Sequence, residues 1–102
     1  MYELELFIKE NWGIIPLTEL SETNNLKKVL EIAFNSQLYK IATPNIGRRW
    51  TEQEDEFLKE FAKFLSVKEA SNLLYRSHYA TYQRVRLLNL GSLMINKKSK
   101  DD

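Results

Sequence analysis

From Phe57 onward the apolar positions recur at helical spacing. Phe57, Leu58, Phe61, Ala62, Phe64 and Leu65 form the broad apolar face of one helix. Val67, Ala70, Leu73 and Leu74 do the same for a shorter helix. After a turn around Leu74 to Ser77, a third helix is predicted over about residues 78–89. Its inward side is Ala80, Thr81, Val85 and Leu88, with the aliphatic stem of Arg84, and Gly91 is expected to end it. Two helix starts are written into the chain. Thr51-Glu52-Gln53-Glu54 and Ser66-Val67-Lys68-Glu69 are capping boxes, in which the hydroxyl accepts from the third amide and the glutamate reaches back. Acids at 52, 54, 55 and 56 suit the positive end of the first helix dipole, so this cluster is expected to be a solvated helix terminus. Trp50, just outside the cap, is placed to fold back onto the apolar face.

The first half repeats the plan. At an offset of 50, Phe7-Ile8-Lys9-Glu10 falls against Phe57-Leu58-Lys59-Glu60, Glu19 against Glu69 and Ser21 against Ser71. With two or three residues fewer in the turn, a helix over 26–35, inward at Leu26, Val29, Leu30 and Ala33, falls against the third helix of the second half. The expected architecture is all-α: two tandem three-helix (helix-turn-helix-like) units of about 45 residues, packed together because each alone is near the lower limit for a stable core. The divisions are a first unit over 1–40, a linker over 41–49 containing Pro44 and Gly47, a second unit over 50–91 and a basic tail over 92–102.

Composition adds mainly exclusions. With 43% hydrophobic residues, the 102-residue chain can build a packed core. It has no cysteine, so disulfides and thiolate zinc sites are excluded. No apolar run approaches the ~20 residues that span a bilayer, and Met1-Tyr2-Glu3-Leu4-Glu5 has no basic leader pattern. The expectation is an intracellular, cytoplasmic or nucleoid-associated protein without membrane contact. Its single histidine, His78, has no Cys or second His beside it, and Gly13, Gly47 and Gly91 are isolated, so no metal site, phosphate loop or catalytic arrangement is expected, nor any cofactor.

Charge changes the picture once the chain is divided. Residues 1–47 hold four lysines against six glutamates, a net of −2; residues 48–102 hold eleven bases against eight acids, a net of +3. Between Ala70 and Lys100 there are six basic residues and no acid. A one-sided stretch of this kind suits a polyanion, and equally suits a solvated basic helix.

Trp50-Thr51-Glu52-Gln53-Glu54-Asp55 followed by Leu58 resembles the W-T-x-x-E-D-x-x-L opening of Myb/SANT-like domains. Leu65-Ser66-Val67-Lys68-Glu69-Ala70, then Arg76-Ser77-His78-Tyr79-Ala80, Arg84 and Leu88-Asn89-Leu90, are similar to the later part of compact bacterial and phage helix-turn-helix proteins of that homeodomain-like class. The likeness covers about 43 residues, from Arg48 to Leu90. It departs from the family in lacking the two later tryptophans and in placing Asn89 where a glycine is usual. The first half lacks the opening motif altogether.

The resemblance implies a double-stranded DNA-binding protein, a small sequence-preferring transcriptional regulator of bacterial or phage/mobile-element type. The helix over 78–89 would then lie in the major groove. On its face Gln83 suits adenine and Arg86 suits guanine. Ser77, Tyr79 and Tyr82 suit phosphate, with Arg76 and His78 beside them as further candidate contacts. Arg48 and Arg49 resemble a basic arm that enters a minor groove. Lys27, Lys28, Lys97 and Lys98 are candidate phosphate contacts. For Arg84 the expected partner is an acid of the first helix of its own half. The alternative reading is a protein–protein interaction module, an inhibitor or co-regulator that docks through the acidic first half, with Phe34, Leu38 and Tyr39 packing on the second half or on that partner.

Overall fold

In a computed structural model the chain is described over residues 2–20, 25–45 and 49–91. Six α-helices follow one another: α1 (Tyr2–Asn11), α2 (Leu17–Leu20), α3 (Leu26–Asn35), α4 (Glu52–Phe61), α5 (Val67–Leu74) and α6 (His78–Leu87). Two 3₁₀ turns, Leu38–Lys40 and Ala62–Phe64, complete the regular structure among the described residues. The chain is all-α, as the periodicity predicts.

Local chemistry explains the helix starts. At α4, Thr51 Oγ1 accepts from the Glu54 amide at 3.3 Å, and Glu54 Oε1 accepts from the Thr51 amide at 2.9 Å. At α5, Ser66 and Glu69 make the same reciprocal pair at 3.1 and 3.0 Å. Ser77 caps α6 by accepting from the Ala80 amide at 3.0 Å. Asn25, unremarked in the sequence, caps α3 by accepting from the amides of Lys27 and Lys28. Each such cap satisfies donors that would otherwise lack a partner and contributes about 1 kcal/mol.

The ends differ from expectation at two places. Helix α4 stops at Phe61 and tightens into the 3₁₀ turn, which rotates Phe64 out of the apolar face and leaves it 52% exposed. Helix α6 is ended by Asn89 rather than Gly91. Asn89 takes φ 62°, its amide donates to the Arg86 carbonyl, and the Leu90 amide donates to the Val85 carbonyl. Those two bonds are a Schellman ending, with Asn in the left-handed position that glycine usually takes.

The starts of α1 and α4, and of α2 and α5, keep the 50-residue offset, and α3 and α6 are offset by two more. The packing is nonetheless that of a single core. The buried residues run in one cluster from Ile8, Trp12, Leu17 and Leu20 through Val29, Leu30 and Ala33 to Phe57, Leu58, Leu65, Leu73, Leu74 and Val85. Helix α3 sits at its centre, packed on α1, α4 and α5. Phe34 of α3 meets Phe61 of α4 edge-on at 4.8 Å, so the aromatic end of the first half is used up against the second. Leu38 is buried, and the 3₁₀ turn that carries it lies on α5.

The sharpest joint between the halves is Tyr75. It closes α5 at φ 54°, ψ 46°, a left-handed conformation that costs a side-chain-bearing residue about 1–2 kcal/mol. Full burial offsets that cost. The ring stands edge-on to Trp12 at 5.2 Å, and the Tyr75 hydroxyl oxygen accepts from the Gly13 amide. Gly13 itself sits at φ +82°, where its lack of a Cβ makes the turn after α1 accessible. Burial pushes the Tyr75 phenol above its ordinary pKa, and the Gly13 hydrogen bond opposes the shift.

Candidate nucleic-acid interface

Helix α5, the turn Tyr75–Ser77 and helix α6 carry most of the residues singled out in the sequence. Thr81 and Val85 turn inward, which sends the opposite side of α6 into solvent. Tyr79 is 70% exposed, and His78, Tyr82, Gln83 and Arg86 are exposed around it. Neither Tyr79 nor Tyr82 packs into the core as an interior tyrosine would. The Arg86 guanidinium lies 5.9 Å from the Tyr82 ring centre, at the edge of cation–π range. No acid occurs anywhere on α6.

Two of the three arginines in this region are held by acids of α4. Arg76 is a correction to the candidate contacts. Its side chain is buried, and Nε and Nη2 donate to the two carboxylate oxygens of Glu54 at 3.2 and 3.1 Å. Nη2 also donates to the Arg49 carbonyl at 3.1 Å, and the guanidinium stacks 3.8 Å from the Trp50 ring centre. A group so placed is spent on the interior. Glu54 is fully buried as well, so the acid cluster at the start of α4 is not simply a solvated terminus. Arg84 behaves as the sequence suggests. Its Nε and Nη2 donate to the Asp55 carboxylate at 2.9 and 2.6 Å, and this bond raises its pKa further. Trp50 therefore lies beside two arginines, at 3.8 and 5.3 Å, each clamped by a neighbouring carboxylate of α4.

The electrostatic consequence is direct. Glu54 neutralises Arg76 and Asp55 neutralises Arg84, so the positive charge that α6 presents to solvent comes from Arg86. The acid-free run in the sequence overstated the positive field, because its counter-charges come from a helix more than twenty residues earlier.

Ser77 uses its hydroxyl as the α6 cap, and its amide donates to Asn45 Oδ1 at 3.1 Å. The connector is thus attached to the turn at Asn45, and again at Arg49 through Arg76. Thr43 and Tyr39 are tied to Asn72 of α5, by Thr43 Oγ1 donating to the Asn72 carbonyl and Asn72 Nδ2 donating to the Tyr39 carbonyl. The Arg49 side chain is exposed at this edge, next to the start of α6 in the hydrogen-bonded network. Arg48, Lys97 and Lys98 lie outside the described residues. On α3, Lys27 is engaged by Glu60 at 2.7 Å and Glu31 at 3.7 Å, and the Glu60 hydrogen bond raises its pKa; Lys28 is exposed.

Sequence reasoning missed Tyr75. It lies in what reads as a polar turn, and its strained backbone is decided by Trp12 and Gly13, about sixty residues away. Among the described residues no group of three or more His, Asp or Glu is arranged to hold a metal ion, and no helix is long and apolar enough to cross a membrane. Comparison with protein-family models, with curated proteins and with solved structures returns no match.

Proposed function

We propose that the segment from Arg48 to Leu90 is a Myb/SANT-like helix-turn-helix unit and that the protein binds double-stranded DNA as a small sequence-preferring regulator. The observation that carries this reading is the solvent face of α6: Tyr79, Tyr82, Gln83 and Arg86 exposed on a capped helix without a single acid. A ten-residue helix is about 15 Å long, enough to lie along a major groove. Gln83 and Arg86 supply the two side-chain types best suited to adenine and guanine edges, while Tyr79 and Tyr82 suit phosphate. Arg49 adds a cation at the edge of the turn. The roles of Arg76 and Arg84 differ: they hold α4 against the turn and α6, and so orient the reading helix.

Because few cations among the described residues reach this face, binding is expected to rely on base contacts more than a strongly basic domain would. The test is selection of bound duplexes from a random pool, followed by retention measurements for Gln83→Ala and Arg86→Ala at rising salt. Enrichment of a motif whose preference relaxes in both variants, with retention falling towards roughly 300 mM salt, supports the reading. A pool that emerges unenriched and unretained overturns it.

A second reading, docking on another protein, has its own observation. Leu87, on the same side of α6, is 68% exposed, and major-groove binding has no need of it. Under this reading Leu87→Ser abolishes capture of a protein that survives nuclease treatment and leaves DNA retention unchanged.

A further inference from the structure

The solvent side of α1 carries Glu3, Leu6, Phe7 and Glu10, spaced i, i+3, i+4, i+7, opposite the buried Ile8. Leu6 and Phe7 are each more than two-fifths exposed, and both glutamates are exposed. The solvent side of α6 carries a stripe of the same spacing, Tyr79, Tyr82, Gln83 and Arg86, with Leu87 adjoining. Both helices are ten residues long. The α1 stripe has an apolar centre between two carboxylates, with exposed Lys9 beside it; the α6 stripe is aromatic and amide with one guanidinium, Arg86, towards its C-terminal end. Among the described residues both stripes are open to solvent.

We infer that the α1 stripe of one copy docks on the α6 stripe of a second copy, with Leu6 and Phe7 against Tyr79, Tyr82 and Leu87, and Arg86 against one of the two glutamates at the ends of the α1 stripe. The contact joins two different surfaces, so each added copy leaves one α1 and one α6 free. Association then grows with concentration instead of closing at a dimer. One short helix on another buries less than a standard stable interface, so the association is weak and salt-sensitive. This inference does not depend on DNA binding. Where both hold, the second copy and DNA compete for α6.

Charge reversal tests it with exposed residues only, and far-UV circular dichroism checks that each variant stays helical. Sedimentation of the full chain should show a mean mass that rises with concentration and falls with salt. Arg86→Glu gives a chain with two acidic stripes, and the double variant Glu3→Lys, Glu10→Lys gives a chain with two basic ones. Each alone should associate about tenfold more weakly or worse, because like charges now face each other. Mixed in equal amounts they should associate again, since every stripe finds its opposite. A wild-type chain that stays monomeric at high concentration overturns the inference, as does a single variant that associates normally or a mixture that fails to recover. The DNA reading fails separately: it predicts that Arg86→Glu loses DNA while the Glu3→Lys, Glu10→Lys chain keeps it, whatever the sedimentation shows.

Discussion

Helices α3 and α6 are each the third helix of their half in chain order, yet the core treats them differently. Helix α3 lies between α1 and α4 and touches α5, and it buries Val29, Leu30 and Ala33. Helix α6 packs chiefly on α5, buries Thr81 and Val85, and leaves its other side to solvent. Positions fifty residues apart diverge in the same way: Ile8 and Leu58 are both fully buried, while Phe57 is buried and Phe7 is 44% exposed. A likeness of helical pattern therefore does not carry a likeness of role. A helix that supplies the centre of a core has less surface to offer a ligand, which is why the proposed reading falls on α6. Polar chemistry divides the halves as well. The second half holds a buried carboxylate–guanidinium pair and two capping boxes, whereas the interior of the first half is built almost wholly from apolar side chains.

The largest effect expected from breaking that contrast is at Arg76. Replacing it with alanine takes the guanidinium away from the buried Glu54 carboxylate, and loss of one partner of a buried pair costs about 3–5 kcal/mol. A urea titration should show the midpoint collapse, with helix content lost before any DNA measurement can be made. By comparison, Arg84→Ala breaks a partly exposed pair and should cost about 1 kcal/mol, because solvent already screens it.

Tyr75→Phe probes the joint between the halves. It leaves the Gly13 amide without its acceptor in a half-buried site and should cost about 1–2 kcal/mol by the same titration. The wild-type phenol adds a pH signature. Its pKa is raised in the folded chain by burial, so the folded state keeps the proton longer than the unfolded one. The stabilising contribution is complete below the ordinary tyrosine value of about 10 and is lost as pH rises through the raised value. Thermal melts between pH 9 and 12, at about half-unit steps, should show a steeper alkaline decline for wild type than for Tyr75→Phe. Equal declines would place the alkaline sensitivity elsewhere.

The smallest effects on stability should come from the exposed side of α6. Gln83→Ala and Arg86→Ala remove no buried contact and should change stability by less than about 0.5 kcal/mol. They are the substitutions that separate function from folding. A large loss of stability in either would mean that the outer face of α6 is not free for a ligand.

Much of the local structure was legible in the chain. Thr51, Glu54, Ser66 and Glu69 announce two helix starts because a capping box is a short-range device whose partners lie three residues apart. The helix over 26–35 is legible because its apolar face recurs at one spacing without interruption. Arg84 could be assigned to an acid of α4 because it lies on the inward side of its helix, where an unpaired charge is not tolerated. Arg76 could not be assigned in this way. It stands in a turn, where a basic residue reads as surface, and only the approach of Glu54 and Trp50 removes it from solvent. Phe64 misled for the opposite reason, since its spacing continues the apolar face while the backbone tightens just before it.

The sequence by itself determined which segments are helical, where most of the helices begin, and that the outer side of α6 carries aromatic, amide and guanidinium groups without acids. These follow from interactions within a few residues, which the order of side chains specifies directly. Only the tertiary structure decided that the buried side chains run in one continuous cluster, that α3 is central and α6 peripheral, and that Glu54 and Asp55 cancel Arg76 and Arg84. Those outcomes depend on groups more than twenty residues apart being brought within hydrogen-bonding distance. Tyr75 is the clearest instance: burial against Trp12 and a bond from Gly13 offset a backbone conformation that its own neighbours would not choose.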